Sequence, residues 1–281
     1  MTPRLASYQR GFTLIEAVIV IMLTGIVGAM LAMFIRAPVN AYVDQARRGE
    51  LTDEADGALR RIARDLQTAL PNSVRVSPSG NYLELLPVRS AGRYRALPSS
   101  TGTGDYLDFN LLSDNSFDVL GPPVSVSAQD ELVIYNLGLT GADAYAGTSR
   151  RAIPGPGGTF SNISYTVGAA QFPYASPSNR FHIIGKPITY GCTAPVNGVR
   201  SLRRYTGYSI QAAQPANAGG APLSGLTGGN NALLAGSVTA CLFTYNSAAS
   251  ARKAVVTLRL TLTRSTESVT LLQQVFVENS P

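Results

Sequence analysis

One acidic residue stands at the edge of the most apolar stretch of this chain. Residues 17–35 form 19 consecutive positions without a charged side chain, and Glu16 directly precedes them. The apolar segment opens four residues before Glu16, at Phe12. A carboxylate inside a membrane-spanning helix costs about 2.5–3.5 kcal/mol at the helix centre, so a chain that keeps one there is expected to use it. Glu16 is therefore a candidate functional residue.

Side chains with common catalytic chemistry are scarce in the rest of the chain. The sequence has one histidine and two cysteines, whereas a zinc site built from these residues needs three or four ligands. The histidine, His182, lies in the alternating stretch Arg180–Ile184, which favours a place in a β-strand over a catalytic role. We therefore expect no enzyme, no metal site and no cofactor.

Two groups of acids and two groups of arginines remain as candidates for binding. Asp105 with Asp108, and Asp130 with Glu131, carry the oxygen ligands that Ca²⁺ prefers, but no EF-hand loop surrounds them and solvated turn acids fit better. Arginines with tyrosines nearby would suit nucleic acid or glycans, and they suit a sheet rim equally well. These residues are Arg150, Arg151, Arg200, Arg203, Arg204, Tyr205 and Tyr208. No run of five like charges occurs, so we do not expect nucleic acid as a partner.

The apolar segment is long enough to span a membrane. At 1.5 Å per residue, residues 17–35 form about 28 Å of helix, close to the ~30 Å hydrocarbon core of a bilayer. Arg4 and Arg10 precede the segment without an acidic residue, so the positive-inside rule keeps the N-terminal arm in the cytoplasm. A cleaved secretory signal fits less well because no small-residue cleavage site closes the run, and an ordinary signal anchor does not account for Glu16.

The string Arg10-Gly11-Phe12-Thr13-Leu14-Ile15-Glu16 resembles the class III signal of type IV pilins and type II secretion pseudopilins. The resemblance implies that a prepilin peptidase cuts after Gly11 on the cytoplasmic side, N-methylates the new first residue Phe12, and leaves the apolar segment on the mature protein. Glu16 then becomes the fifth mature residue. In a filament its carboxylate would pair with the terminal amine of a neighbouring subunit, which leaves neither charge alone in an apolar setting.

Periodicity beyond the apolar segment predicts a helix followed by strands. Apolar residues recur three and four positions apart at Ala55, Leu59, Ile62, Leu66 and Ala69. We expect one helix over residues 12–70, which Pro38 bends and Pro71 stops. The candidate strands are Tyr82–Leu86, Tyr106–Leu112, Glu131–Leu137, Ile163–Val167, Arg180–Ile184, Ile188–Tyr190, Ser237–Tyr245, Val255–Thr263 and Ser268–Val277. The fold class is α+β, a long helix against an antiparallel sheet, which matches the fold that the pilin resemblance implies.

The two cysteines lie outside the inner membrane on this topology. Cys192 and Cys241 are 49 positions apart, and the periplasm is oxidising, so an even pair there predicts a disulfide. Two buried free thiols are the alternative.

Strings along the remaining chain extend the resemblance to one branch of minor pilins. Residues 65–75, 92–95, 116–121, 135–138 and 274–281 are similar to the MshO-type minor pilins of MSHA pilus systems, which are related to the J-type minor pseudopilins of type II secretion. The domains implied are a leader at 1–11, a transmembrane half-helix at 12–35, an amphipathic half-helix at 36–70 and a periplasmic head at 71–281.

The implied function is that of a minor pilin-like subunit that primes assembly of, or caps, a type IV pilus. Its implied partners are the prepilin peptidase, other minor pilins, the major pilin and the inner-membrane assembly platform. Its implied place is the inner membrane, crossed once, with the head in the periplasm or at the pilus tip. Two alternatives stay open: a J-type pseudopilin of a secretion system, and a pilus-tip module that binds a surface, a glycan or DNA.

Overall fold

The computed structural model describes residues 11–246 and 253–280. The chain divides into two compact units, one ending at Glu50 and the other beginning at Leu51. One helix, α1 (Leu14–Gln67), contributes to both units and is continuous through Pro38. The predicted cytoplasmic arm with Arg4 and Arg10 lies outside the described residues.

The helix ends earlier than the predicted stop at Pro71. The carbonyl of Thr68 accepts a hydrogen bond from the N–H of Val88 at 2.8 Å, and the N–H of Leu70 donates to the carbonyl of Leu86 at 2.8 Å. The backbone has therefore left the helix to bond with the segment around Leu86 and Val88 before the proline is reached, so tertiary pairing sets this boundary.

Fifteen strands follow in the described part of the chain, and all their pairings are antiparallel. They are β1 (Arg75–Val76), β2 (Tyr82–Leu85), β3 (Val88–Arg93), β4 (Ser116–Asp118), β5 (Val124–Val126), β6 (Glu131–Val133), β7 (Arg150–Ala152), β8 (Gly158–Phe160), β9 (Asn162–Ser164), β10 (Arg180–Ile184), β11 (Ile188–Cys192), β12 (Arg200–Tyr205), β13 (Asn231–Asn246), β14 (Lys253–Arg264) and β15 (Glu267–Glu278). A seven-stranded sheet has the order β1-β2-β11-β12-β13-β14-β15, a four-stranded sheet has the order β3-β10-β6-β7, and β4-β9 and β5-β8 form two short ribbons.

The main core lies between the last part of α1 and the seven-stranded sheet. The buried apolar residues of the helix are Leu51, Ala55, Ala58, Leu59, Ile62, Ala63 and Leu66, which confirms the predicted stripe up to the point where the helix ends. On β14 the residues Val256, Leu258, Leu260 and Leu262 point into this core and alternate with more exposed positions. The α+β class is confirmed, with a long helix and an antiparallel sheet.

Two polar side chains of α1 bind the sheet strands next to this core. The Asp65 carboxylate accepts hydrogen bonds from the Tyr190 hydroxyl of β11 at 2.6 Å and from Arg204 Nε of β12 at 2.8 Å. The Glu54 carboxylate accepts from the N–H of Gly236 on β13 at 2.8 Å and lies 3.1 Å from Arg264 Nη2 on β14. The two carboxylates thus connect the helix to four neighbouring strands.

A second core surrounds the four-stranded sheet and is rich in aromatic rings. The ring of Phe117 lies 5.2 Å from that of Phe181 and 5.9 Å from that of Tyr94, in edge-to-face arrangements. Gly92 packs directly against the ring of Phe181. A side chain at this position would clash, because its Cβ atom would lie 2.8 Å from the ring. The second sheet is therefore fixed by close packing.

Eight of the nine candidate strands overlap an observed strand, and one is wrong. The stretch Tyr106–Leu112 forms turns and irregular structure. The Asp114 carboxylate accepts a hydrogen bond from the Asp108 N–H at 2.7 Å, and the Asp108 carboxylate accepts from the Asn110 N–H at 2.8 Å. Aspartates that bind nearby backbone groups favour turns, and here they outweigh the strand preference of the apolar residues between them.

Candidate functional site

The segment that carries Glu16 begins with a capped helical turn. Thr13 precedes the first residue of α1, and its Oγ1 accepts a hydrogen bond from the Glu16 N–H at 3.4 Å. The Thr13 carbonyl accepts from the N–H of Ala17 at 3.1 Å. A threonine followed three residues later by a glutamate is the pattern of a capping box, and an acid in the first turn also complements the helix dipole. Glu16 therefore has a second possible role, which is to start its own helix.

The Glu16 side chain has no ion-pair partner among residues 11–246 and 253–280. The residue is exposed, as is every described residue from 11 to 36. Its neighbours are apolar and largely uncovered, with Phe12 80% and Leu14 85% exposed. The carboxylate thus lies on an apolar surface that the chain itself leaves open.

The part of α1 that follows is suited to a membrane. It is long and apolar enough to cross a bilayer by length and composition, and none of the qualifying window is buried. Its polar side chain Thr24 donates to the carbonyl of Val20 at 2.7 Å, as a hydroxyl in lipid must do to avoid an unpaired donor. Thr24 is therefore satisfied within the helix, whereas the Glu16 carboxylate at the start of the segment has no such partner among the described residues.

Residues 6–32 match the family model for the prokaryotic N-terminal methylation motif. The chain carries a prepilin-type motif. The match covers Gly11, Phe12 and Glu16 together with most of the apolar segment, and residues 6–10 of it lie outside the described part of the chain. The same comparisons find no curated protein and no solved structure that matches the chain.

The prepilin motif, the apolar helix and the antiparallel sheet support a type IV pilin-like protein anchored in a membrane. The motif also implies processing by a prepilin peptidase and assembly with other pilins in a membrane machinery. Cleavage after Gly11, methylation of Phe12 and charge pairing by Glu16 stay predictions.

The structure contains the disulfide between Cys192 and Cys241, with Cα atoms 6.5 Å apart. Cys192 ends β11, and Cys241 lies on β13 beyond the last residue pair of β12 and β13, Arg200 with Val238. The bridge therefore joins β11 and β13 where the strand between them stops.

His182 lies on β10 between β3 and β6, opposite Ala91 and Val133. Its Nδ1 is buried without a hydrogen-bond partner in the described structure. Burial, and then the charge of Arg180, lower the pKa of His182 to about 4. The imidazole is therefore neutral at pH 7 and sits inside a sheet, in the strand context that the sequence indicates.

The acidic residues that resembled calcium ligands form other bonds. Asp105 accepts hydrogen bonds from the Ser116 hydroxyl at 2.6 Å and from Asn162 Nδ2 at 2.9 Å. Asp130 lies 3.1 Å from Arg89 Nε with its side chain only 3% exposed, and Glu131 pairs with Arg150. The interpretation of Asp130 and Glu131 as solvated turn acids is wrong, because both are partners of arginines. Within the described ranges, no three His, Cys, Asp or Glu residues are grouped to hold a metal ion.

The arginines with nearby tyrosines do not form one surface. Arg204 is bonded to Asp65, and Arg203 Nη1 donates to the Asn231 amide oxygen at 3.0 Å. Tyr205 and Tyr208 are 2% and 4% exposed, so neither offers a ring for a base or a sugar to stack on. Arg150 and Arg151 lie on β7, in the other sheet.

Sequence reasoning missed two features of α1. The helix cap at Thr13 was detectable, because a threonine three residues before a glutamate is a known start signal. The contacts of Asp65 with Tyr190 and Arg204 were not detectable, since they join residues 125 and 139 positions apart.

Proposed function

We propose that this chain is a minor pilin-like subunit of an MSHA-like type IV pilus, which primes assembly of the filament or caps it after processing. Its role is structural, and we propose no enzymatic activity. One observation carries the proposal: Glu16 is an exposed carboxylate within the prepilin motif, and no described residue of the chain supplies its counter-ion.

The physical argument concerns the charge of Glu16 in a bilayer. A buried charge is expensive unless it is paired and hydrogen-bonded. Cleavage after Gly11 would create an α-amino group on Phe12, which is cationic below a pKa of about 7.7–8.0. The amine and the carboxylate would then lie four residues apart, or about 6 Å along the helix. An axial offset between subunits would bring the carboxylate of one to the amine of the next, and repeated head-to-tail contacts of this kind build a helical filament.

The prepilin motif supports the proposed partners. They are the prepilin peptidase, the major pilin, other minor pilins and the assembly platform of the inner membrane. The proposed place of the head is the periplasm, or the cell surface at the pilus tip, and the disulfide supports it because disulfides persist in oxidising compartments.

The first test is the processing itself. Mass spectrometry of the protein from its own bacterium should show a chain of residues 12–281 whose first residue is N-methyl-phenylalanine. An uncut leader in cells with an active prepilin peptidase would contradict the proposal.

The second test separates charge pairing from helix capping. In a deletion strain, Glu16→Ala and Glu16→Gln should both be cleaved normally and should both reduce co-purification with other pilins about tenfold or more, because neither retains the charge. Glutamine preserves a capping box, so a Glu16→Gln variant that assembles like the wild type would assign the residue to capping instead. Asp53→Ala removes an exposed acid of α1 outside the apolar segment and should have no effect.

The pilus and secretion roles differ in what a deletion strain loses. Deletion should reduce the number of surface pili and leave secreted enzymes at wild-type levels. Normal pili together with a loss of secretion would favour the J-type pseudopilin instead.

A further inference from the structure

An open cavity of about 540 Å³ lies beside β7, the edge strand of the four-stranded sheet. Its walls are two loops, the one that precedes β7 and the one at 166–171 that follows β9. Glycine, alanine and threonine residues form most of its lining, and the charged side chains at its surface are Arg150, Arg151 and Glu131. Its volume falls within the range of ordinary ligand-binding pockets, about 300–1,000 Å³.

Arg151 is a buried cation without a carboxylate partner among the described residues. It is 8% exposed. Its Nη1 donates to the carbonyls of Gly147, Thr148 and Arg150, and its Nη2 donates to the carbonyl of Ala170 at 2.6 Å. Its Nε is buried with no acceptor at all in the described structure. Buried charges are normally paired with an opposite charge, and among the described residues this arginine has backbone carbonyls as partners but no carboxylate.

The position of the guanidinium group is fixed by its surroundings. The ring of Phe172 lies 4.6 Å from Arg151 Cζ, and Gly168 approaches so closely that a Cβ atom there would lie 3.0 Å from Nε. Burial and the nearby charge of Arg150 lower the pKa of Arg151, although an arginine remains charged at neutral pH. A rigid, desolvated cation of this kind is a strong attractor for an anion.

The charges at the cavity sum to a single positive charge. Arg150 is paired with Glu131, and its Nε donates to the carbonyl of Ala144 at 2.8 Å. Arg151 therefore contributes the unbalanced charge. A carboxylate carries one negative charge, whereas a phosphate group carries about 1.5 to 2 at pH 7, so the carboxylate matches the balance better. The alanines of the lining, Ala146, Ala169 and Ala170, offer carbon surface to the organic part of a ligand.

We propose that this cavity binds a small organic monocarboxylate, whose negative charge balances that of Arg151 in the cavity wall. A sugar acid is of suitable size and would come either as the free acid or as the terminal residue of a glycan. The site is independent of the filament role, since it uses no residue of α1.

The test uses the full-length protein in detergent micelles and d-glucuronate as the probe, with binding measured by calorimetry. Glucuronamide is the matched neutral analogue, and it should bind about tenfold more weakly or worse, because it lacks the charge that is attracted to Arg151. An oligosaccharide that ends in glucuronate should bind more tightly than the free acid if the source is a glycan, and equally if the source is the free acid. Equal affinity for glucuronate and glucuronamide, or no binding of glucuronate at millimolar concentration, would refute the site.

Two matched variants separate this site from surface attraction. Thr166→Glu places a carboxylate at the exposed rim of the cavity and should reduce glucuronate binding about tenfold or more, with an unchanged unfolding temperature as the control for folding. Ser161→Glu adds the same charge at an exposed turn outside the cavity lining and should leave binding unchanged. Equal losses in both variants, or tighter binding of inorganic phosphate than of glucuronate, would overturn the assignment to an organic acid.

Discussion

The carboxylates near the two ends of α1 have opposite surroundings. Asp65, close to the C-terminal end of the helix, is bonded to Tyr190 and Arg204, and its side chain is 12% exposed. Glu16, in the first turn, is exposed on an apolar surface without a partner among the described residues. A carboxylate paired within its own chain stabilises that chain, whereas one that lacks a partner favours contact with another molecule. The comparison separates residues that maintain the fold from residues that are available for assembly.

The same comparison applies inside the head. Glu84 is fully buried and lies 2.6 Å from Arg75 Nε, and it also accepts a hydrogen bond from the Tyr208 hydroxyl at 2.8 Å. Burial raises the pKa of Glu84 even though the Arg75 charge opposes the shift. Glu84 therefore resembles Asp65 in having its partners within the chain, whereas Arg151, like Glu16, has no oppositely charged partner among residues 11–246 and 253–280.

Loss of the disulfide should have the largest effect on the head. A Cys192→Ala, Cys241→Ala double variant opens a loop of 49 positions, which costs about 4 kcal/mol of unfolding free energy in the chain-entropy model. Denaturant unfolding can be followed by tyrosine fluorescence, because the chain has 13 tyrosines and no tryptophan. Cleavage of the leader should be unaffected. A loss of cleavage in this variant would show that processing of the N-terminal segment depends on the fold of the head.

Removal of the Asp65 carboxylate should follow in size. Asp65→Ala leaves Arg204 largely buried without its counter-ion and should cost about 3 kcal/mol of unfolding free energy. Asp56→Ala is the matched control on the same helix, because Asp56 pairs with the exposed Arg60 and should cost only about 0.3 kcal/mol. Equal losses in the two variants would show that burial does not distinguish these carboxylates.

A smaller effect is expected from His182 and depends on pH. Its pKa of about 4 in the folded protein lies below its ordinary value of 6.5, so the unfolded chain binds the proton more readily. The contribution of neutral His182 to the free energy of unfolding is therefore fully present above pH 6.5. It falls as the pH drops towards 4, and about 2 kcal/mol of it is lost at pH 5. His182→Gln should lose less stability than the wild type between pH 7 and pH 5. Parallel pH profiles of the two proteins would rule out this contribution.

Local patterns in the sequence predicted the parts of the molecule whose partners are close in the chain. The alternation of Val256, Leu258 and Leu260 gave β14, and the motif around Glu16 is contiguous. The strand β12 was missed because its charged residues, such as Arg204, find their partners far away in sequence. The cavity at Arg151 was equally hidden, since backbone carbonyls surround this side chain only in the folded chain.

From the contacts of Asp65 and Glu54 we expect a particular response of the head to a mechanical load. A pull transmitted along α1 reaches β11 and β12 through Asp65, and β13 and β14 through Glu54. These are four adjacent strands of one sheet, so the force is shared across the ladder of hydrogen bonds instead of opening it one strand at a time from an edge. The covalent link between Cys192 and Cys241 closes the same set of strands and prevents β11 and β13 from separating under tension.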